Sequence, residues 1–125
     1  MRIVLSDEVR SRFPDLHVLL KRIDGLSVRE RSEELERFKI EVYQRIRSRF
    51  SLESLKDDLV IRAYRDFFWR IGIDPTKIRP ASEALIRRIL GGGGLPAINT
   101  LVDAYNLAST ESRIALAAFD ADKLE

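Results

Sequence analysis

The chain contains no cysteine and only one histidine, one methionine and one tryptophan in 125 residues. Without cysteine there is no disulfide, no thiolate metal ligand and no cysteine nucleophile. His17 stands alone, so a metal site would need carboxylates only; none is expected, and His17 reads as a surface or core residue. Long apolar runs are also missing. The longest, Ile114 to Phe119, falls far short of the roughly twenty residues that span a membrane as a helix. Met1-Arg2-Ile3-Val4-Leu5-Ser6-Asp7 reaches an acid before any long apolar stretch, so no signal peptide is expected. Neither sign of charge dominates: 22 basic residues face 20 acidic ones, for a net charge of +2. A sequence pI near 9.1 permits nucleic-acid binding without demanding it. A cytoplasmic protein with no membrane contact and no cofactor is the expectation.

What is present is a globular balance, 45% hydrophobic and 34% charged residues. The length suits one domain that buries roughly two-thirds of its unfolded surface. Arg2 to Leu5 and His17 to Ile23 are apolar, β-branched runs bounded by Asp, Pro and Gly, and read as strands. Asp7 to Phe13 reads as a short helix stopped by Pro14. Between Glu30 and Phe50, Leu35, Phe38, Val42, Ile46 and Phe50 recur at steps of three or four, the face of a long amphipathic helix. Asp57 to Ile71 forms a second, with Val60, Tyr64, Phe67 and Ile71 on one stripe. Ser82 can cap a third helix through Leu90, and Asn99 a fourth running to about Ser109. Ile114 to Phe119 reads as a strand buried on both faces. The fold class expected is α+β, helix-rich with strands at both ends.

Basic residues gather at Lys77, Arg79, Arg87 and Arg88, with Glu83 the only acid among them. That density suits a phosphate-contacting patch, because charge neutralisation drives most binding to a nucleic-acid backbone. A solvated helix face is the alternative. Tyr64, Phe67, Phe68 and Trp69 interleave with Arg62, Arg65 and Arg70, as on surfaces that stack bases and hold phosphates. At helical spacing, however, Tyr64, Phe67 and Phe68 belong to a core stripe, which leaves Trp69 partly exposed. Gly91-Gly92-Gly93-Gly94 follows a helix and lacks the lysine and hydroxyl of a nucleotide phosphate loop. A helix stop with a linker explains it; a loop offering backbone N–H groups to an RNA phosphate is the alternative.

Ile98-Asn99-Thr100-Leu101-Val102-Asp103-Ala104-Tyr105-Asn106 followed by Ala118-Phe119-Asp120-Ala121-Asp122-Lys123-Leu124 resembles the B3/B4 editing module of the phenylalanyl-tRNA synthetase beta subunit. There an I-[ND]-x-x-V-D-x-x-N segment leads into H-A-F-D-x-D-K-L. Ser82 to Leu90 fits the short helix that enters this segment. The earlier part of the chain is more similar to free-standing B3/B4 proteins. The resemblance implies a single B3/B4-like domain over residues 1–125, with a strand-helix part over 1–73 and the family-like segment over 74–125. The family's module continues past Glu125, so the expected fold lacks its C-terminal half. Asn99, Asp103 and Asn106 correspond to the pocket region, where a hydrogen-bonding role is favoured over chemistry. Ala117 replaces the His of H-A-F-D, and Leu95-Pro96-Ala97 stands where an Arg usually precedes the I-[ND] pair. No catalytic residue is therefore assigned. The resemblance implies tRNA or aminoacyl-tRNA as partner, with a synthetase as a further one. The expected function is tRNA binding, with a free-standing aminoacyl-tRNA deacylase as the alternative.

Overall fold

The computed structural model describes residues 2–124; Met1 and Glu125, the final residue of the family-like block, lie outside the described residues. The order of elements is α1 (Asp7–Arg12), α2 (Glu33–Arg49), a 3-10 turn (Leu55–Asp57), α3 (Leu59–Arg70), α4 (Ala81–Leu90), α5 (Thr100–Ser112) and a final 3-10 turn (Ala121–Lys123). Local chemistry sets most boundaries. Ser6, Ser32, Asp58 and Asn99 each accept a hydrogen bond from the first turn of the following helix, at α1, α2, α3 and α5. Glu33, Glu34 and Glu36 open α2 and Arg47 and Arg49 close it, in the sense that complements the helix dipole.

Ser82 departs from its expected role. The chain enters α4 at Pro80, which fixes its own φ, and Ser82 lies inside the helix with its hydroxyl buried and unpartnered. Helices α2, α4 and α5 pack against one another, and α3 packs on the 3-10 turn before it. Val42, Ile46, Leu55, Ile61, Ile86, Ile89, Leu95 and Leu107 form the buried cluster between them.

The expected α+β class is overturned, because there is no strand among the described residues. Arg2 to Leu5, His17 to Ile23 and Ile114 to Phe119 have strand-like composition but join no backbone ladder. β-propensity reports fit to a half-buried pleated surface, and backbone groups need a neighbouring strand to bond to. Here the core is closed by helices, and these segments lie outside it. Leu19 is 97% exposed and Phe119 73% exposed, so the expected burial of Ile114 to Phe119 on both faces fails with the strand. Among the described residues, side-chain hydrogen bonds tie this last segment where it begins. The Ala115 N–H donates to the Tyr64 hydroxyl, and the Ser109 hydroxyl donates to the Ile114 carbonyl.

The N-terminal segment has two anchors on the helices. Phe13 packs on Phe67 of α3, with ring centroids 5.1 Å apart, and the Arg70 guanidinium lies over the Phe13 ring. Further along, the Thr100 N–H donates to the Arg29 carbonyl and the Arg29 N–H to the Thr100 hydroxyl, a reciprocal pair at the start of α5.

Candidate functional site

Glu83 lies in the first turn of α4, and Arg79 and Arg87 stand four residues before and after it. Arg79 lies in the segment just before α4 and Arg87 one turn beyond Glu83, and both reach its carboxylate. The two arginines converge on one carboxylate oxygen: Arg79 Nη1 donates to Glu83 Oε2 at 3.0 Å and Arg87 Nε at 2.7 Å. A third guanidinium arrives from α3, where Arg65 forks onto both oxygens, Nε to Oε1 at 2.8 Å and Nη2 to Oε2 at 2.6 Å. Such a fork is the strong, directional form of an arginine–carboxylate contact. The Glu83 side chain is 0% exposed. Burial alone would push its carboxyl up; the hydrogen bonds and charges of Arg65 and Arg87 outweigh burial and bring it down to about 2. Glu83 is thus an anion that fixes three cations, with two positive charges left over.

Arg79 and Arg87, two members of the basic patch expected from the sequence, are therefore brought together. Lys77 is exposed near Asp74, and no hydrogen bond or ion pair among the described residues joins it to the cluster. Arg88 points elsewhere, its Nε donating to the Gly94 carbonyl at 2.9 Å across the glycine run. That run is fixed in place. Gly92 takes a positive φ of 92° just after α4, the Leu95 N–H donates to the Tyr43 hydroxyl, and a Cβ on Gly94 would sit 3.3 Å from the Tyr43 ring. The observed role is a helix stop folded onto α2. Arg65 belongs by sequence to the aromatic run of α3, and neither its junction with this patch nor the central place of Glu83 is part of the expectation. The i, i+4 spacing of Glu83 and Arg87 carried part of the signal, whereas nothing local could attach Arg65 to them.

The second candidate group lies on α5. Asn99 is the N-cap, its side chain accepting from the Val102 N–H at 2.9 Å. Asp103 is 2% exposed, and both its oxygens are committed: Oδ1 accepts from the Ile98 N–H at 3.0 Å and Oδ2 from Lys39 Nζ at 3.0 Å. Lys39, buried on α2, also donates to Glu36 at 2.9 Å. Burial would lower the Lys39 pKa, and the bonds and charges of Glu36 and Asp103 override it and raise it. Asp103 is thereby a strut joining α5 to α2 and to the loop before it. Asn106 is half-buried one turn further along, and no side-chain hydrogen bond ties it to Asn99 or Asp103. Two open depressions of the surface are lined by Leu35 and Phe38 on α2 and by Phe50 and Leu90; neither includes Asn99, Asp103 or Asn106.

Among the aromatic residues of α3, Tyr64, Phe67 and Phe68 are half-buried and Trp69 is 57% exposed. His17 is exposed in its extended segment, and Ala117 is exposed as well. No helix among the described residues is long and apolar enough to cross a membrane. A family model described as the B3/4 domain matches residues 63–125. That span takes in Arg65, Glu83 with its other arginines, the glycine run and all of α5. No curated protein and no solved structure matches the chain.

Proposed function

Because this chain belongs to the B3/4 domain family, we propose that it is a tRNA-binding module related to the editing domain of the phenylalanyl-tRNA synthetase beta subunit. Its partner is tRNA or aminoacyl-tRNA in the cytoplasm, met alone or beside a synthetase. The observation that carries this reading is the convergence of Arg65, Arg79 and Arg87 on one buried carboxylate. It leaves net positive charge around that carboxylate. Cations held in fixed geometry are what a phosphate backbone requires, since its counterions are released as protein charges replace them. The exposed ring of Trp69, flanked by Arg70, offers a stacking surface on the same helix as Arg65.

The α5 residues support binding over hydrolysis. A general base must keep a lone pair within reach of a water or substrate proton. Asp103 is 2% exposed, out of reach of a bulk water or substrate, with its carboxylate held by Lys39 and Ile98, and Asn99 is engaged in its helix cap.

Single-turnover deacylation of phenylalanine tRNA mischarged with tyrosine tests the choice, with filter retention measured on the same samples. The reading predicts retention with release no faster than the buffer blank. Release well above the blank, abolished by Asn106→Ala, would instead make the chain an aminoacyl-tRNA deacylase. Absence of retention from a folded protein would remove the tRNA reading altogether.

A further inference from the structure

We propose that Arg65, Arg79 and Arg87, gathered around Glu83 between α3 and α4, form a receptor for a single phosphate group. The inference rests on the tRNA reading only for the source of that phosphate.

The argument begins with unspent donors. A guanidinium carries five N–H groups in a rigid fork. Arg79 uses only Nη1 on Glu83, Arg87 only Nε, and Arg65 its Nε and Nη2. Arg79 Nε and Nη2, both Nη atoms of Arg87 and Arg65 Nη1 have no acceptor in the described residues. None of these atoms is buried without a partner, so they open on solvent. The arginine side chains are 17–34% exposed, whereas the carboxylate they share is fully enclosed. A ligand therefore meets guanidinium edges and no carboxylate oxygen.

Charge and shape then select the ligand class. Three guanidiniums against one carboxylate leave an excess of two positive charges, which matches a phosphate better than a single carboxylate. Arginine forks fit the oxygens of a tetrahedral phosphate in paired hydrogen bonds. Glu83 also holds the three long side chains in one arrangement before any ligand arrives, so less rotamer freedom is lost on binding. The Glu83 carboxylate is the positioning group and the arginine N–H groups are the binding groups. The phosphate can be a backbone phosphodiester or a free or terminal phosphate.

The test is an NMR titration of the full chain that follows the arginine Nε–Hε signals, first with inorganic phosphate and then with a short single-stranded oligoribonucleotide lacking terminal phosphates. Chloride at matched ionic strength is the control. Saturable shifts of the Arg65 and Arg87 signals are expected, with affinity about tenfold weaker or more in Arg79→Gln, since hydrogen bonds to charged groups carry the binding. Arg45→Gln, on a guanidinium held by Glu111 across α2 and α5, should leave the affinity unchanged. Arg87→Lys provides a second variant that keeps the charge and loses the fork, and it should also weaken binding. Saturation by the oligoribonucleotide assigns a backbone phosphodiester; saturation by inorganic phosphate alone assigns a free or terminal phosphate. If phosphate saturates the cluster while tRNA is not retained, the receptor stands and the tRNA reading falls. If neither probe moves these signals more than chloride does, the receptor is overturned, even where tRNA is still retained through other residues.

Discussion

Glu83 and Asp103 show how the same residue type takes its role from its surroundings. Each is a buried carboxylate, yet one serves an excess of arginines and the other a single lysine and a backbone N–H. Removing the charge of Glu83 leaves three guanidiniums crowded together, although they can still reach water. Glu83→Gln should therefore destabilise the chain by about 3 kcal/mol, the low end for breaking a buried pair. Its pH dependence has a definite sign. The folded carboxyl lies at about 2 against an ordinary 4.5, so its contribution is complete above pH 4.5 and fades as the pH falls towards 2. Urea denaturation of both proteins should show the gap between them narrowing across that window; a gap that ignores pH would contradict the assignment. At the second site, Lys39→Met should cost about 3–5 kcal/mol by stranding Asp103. Because Lys39 is raised above its ordinary 10.5, its contribution holds below that value and is lost as the pH rises past it. A thermal melt of Lys39→Met within 2 °C of the wild type would show that the strut carries no load.

Helices and extended segments differ sharply in how far the sequence reveals them. Leu35, Val42 and Ile46 recur with a local period, Val60, Tyr64 and Phe67 do the same on α3, and Asn99 caps α5, so α2, α3 and α5 were legible to within a few residues. Ser82 misled because a hydroxyl at a helix start resembles a cap, while Pro80 already held that position. The strands were misread for a non-local reason. A run such as His17 to Ile23 becomes a strand only beside a partner, and no feature of the run itself says whether one exists. The candidate site divides in the same way, since Glu83 and Arg87 are related by helical spacing, whereas Arg79, before α4, and Arg65, on α3, are joined to them only by folding. Point substitutions test the corrected elements. Leu19→Ser should change stability by no more than about 0.5 kcal/mol, as for an exposed residue, while Leu107→Ala, in the closed cluster, should cost about 2–5 kcal/mol. Chemical denaturation that ranked the two in the opposite order would restore a buried strand at His17 to Ile23.

On the scale of the whole molecule, a nearly neutral composition conceals an uneven distribution of charge. The acids at the start of α2 lie at its dipole-favoured end, and Glu111 answers Arg45 across α2 and α5. The surroundings of Glu83 are left with more guanidinium than carboxylate. Electrostatic binding to a polyanion must then depend on salt, with each phosphate contact adding roughly 0.7–0.9 to the slope of log affinity against log salt. The most direct measurement is the tRNA affinity of the folded wild type and of the Arg79→Gln, Arg87→Gln double variant across a salt series. The account predicts measurable binding at low salt that weakens steeply as salt rises, with a slope shallower by about 0.8 in the variant, the loss of one phosphate contact. Equal slopes in two folded proteins, or no binding by the wild type at low salt, would contradict it.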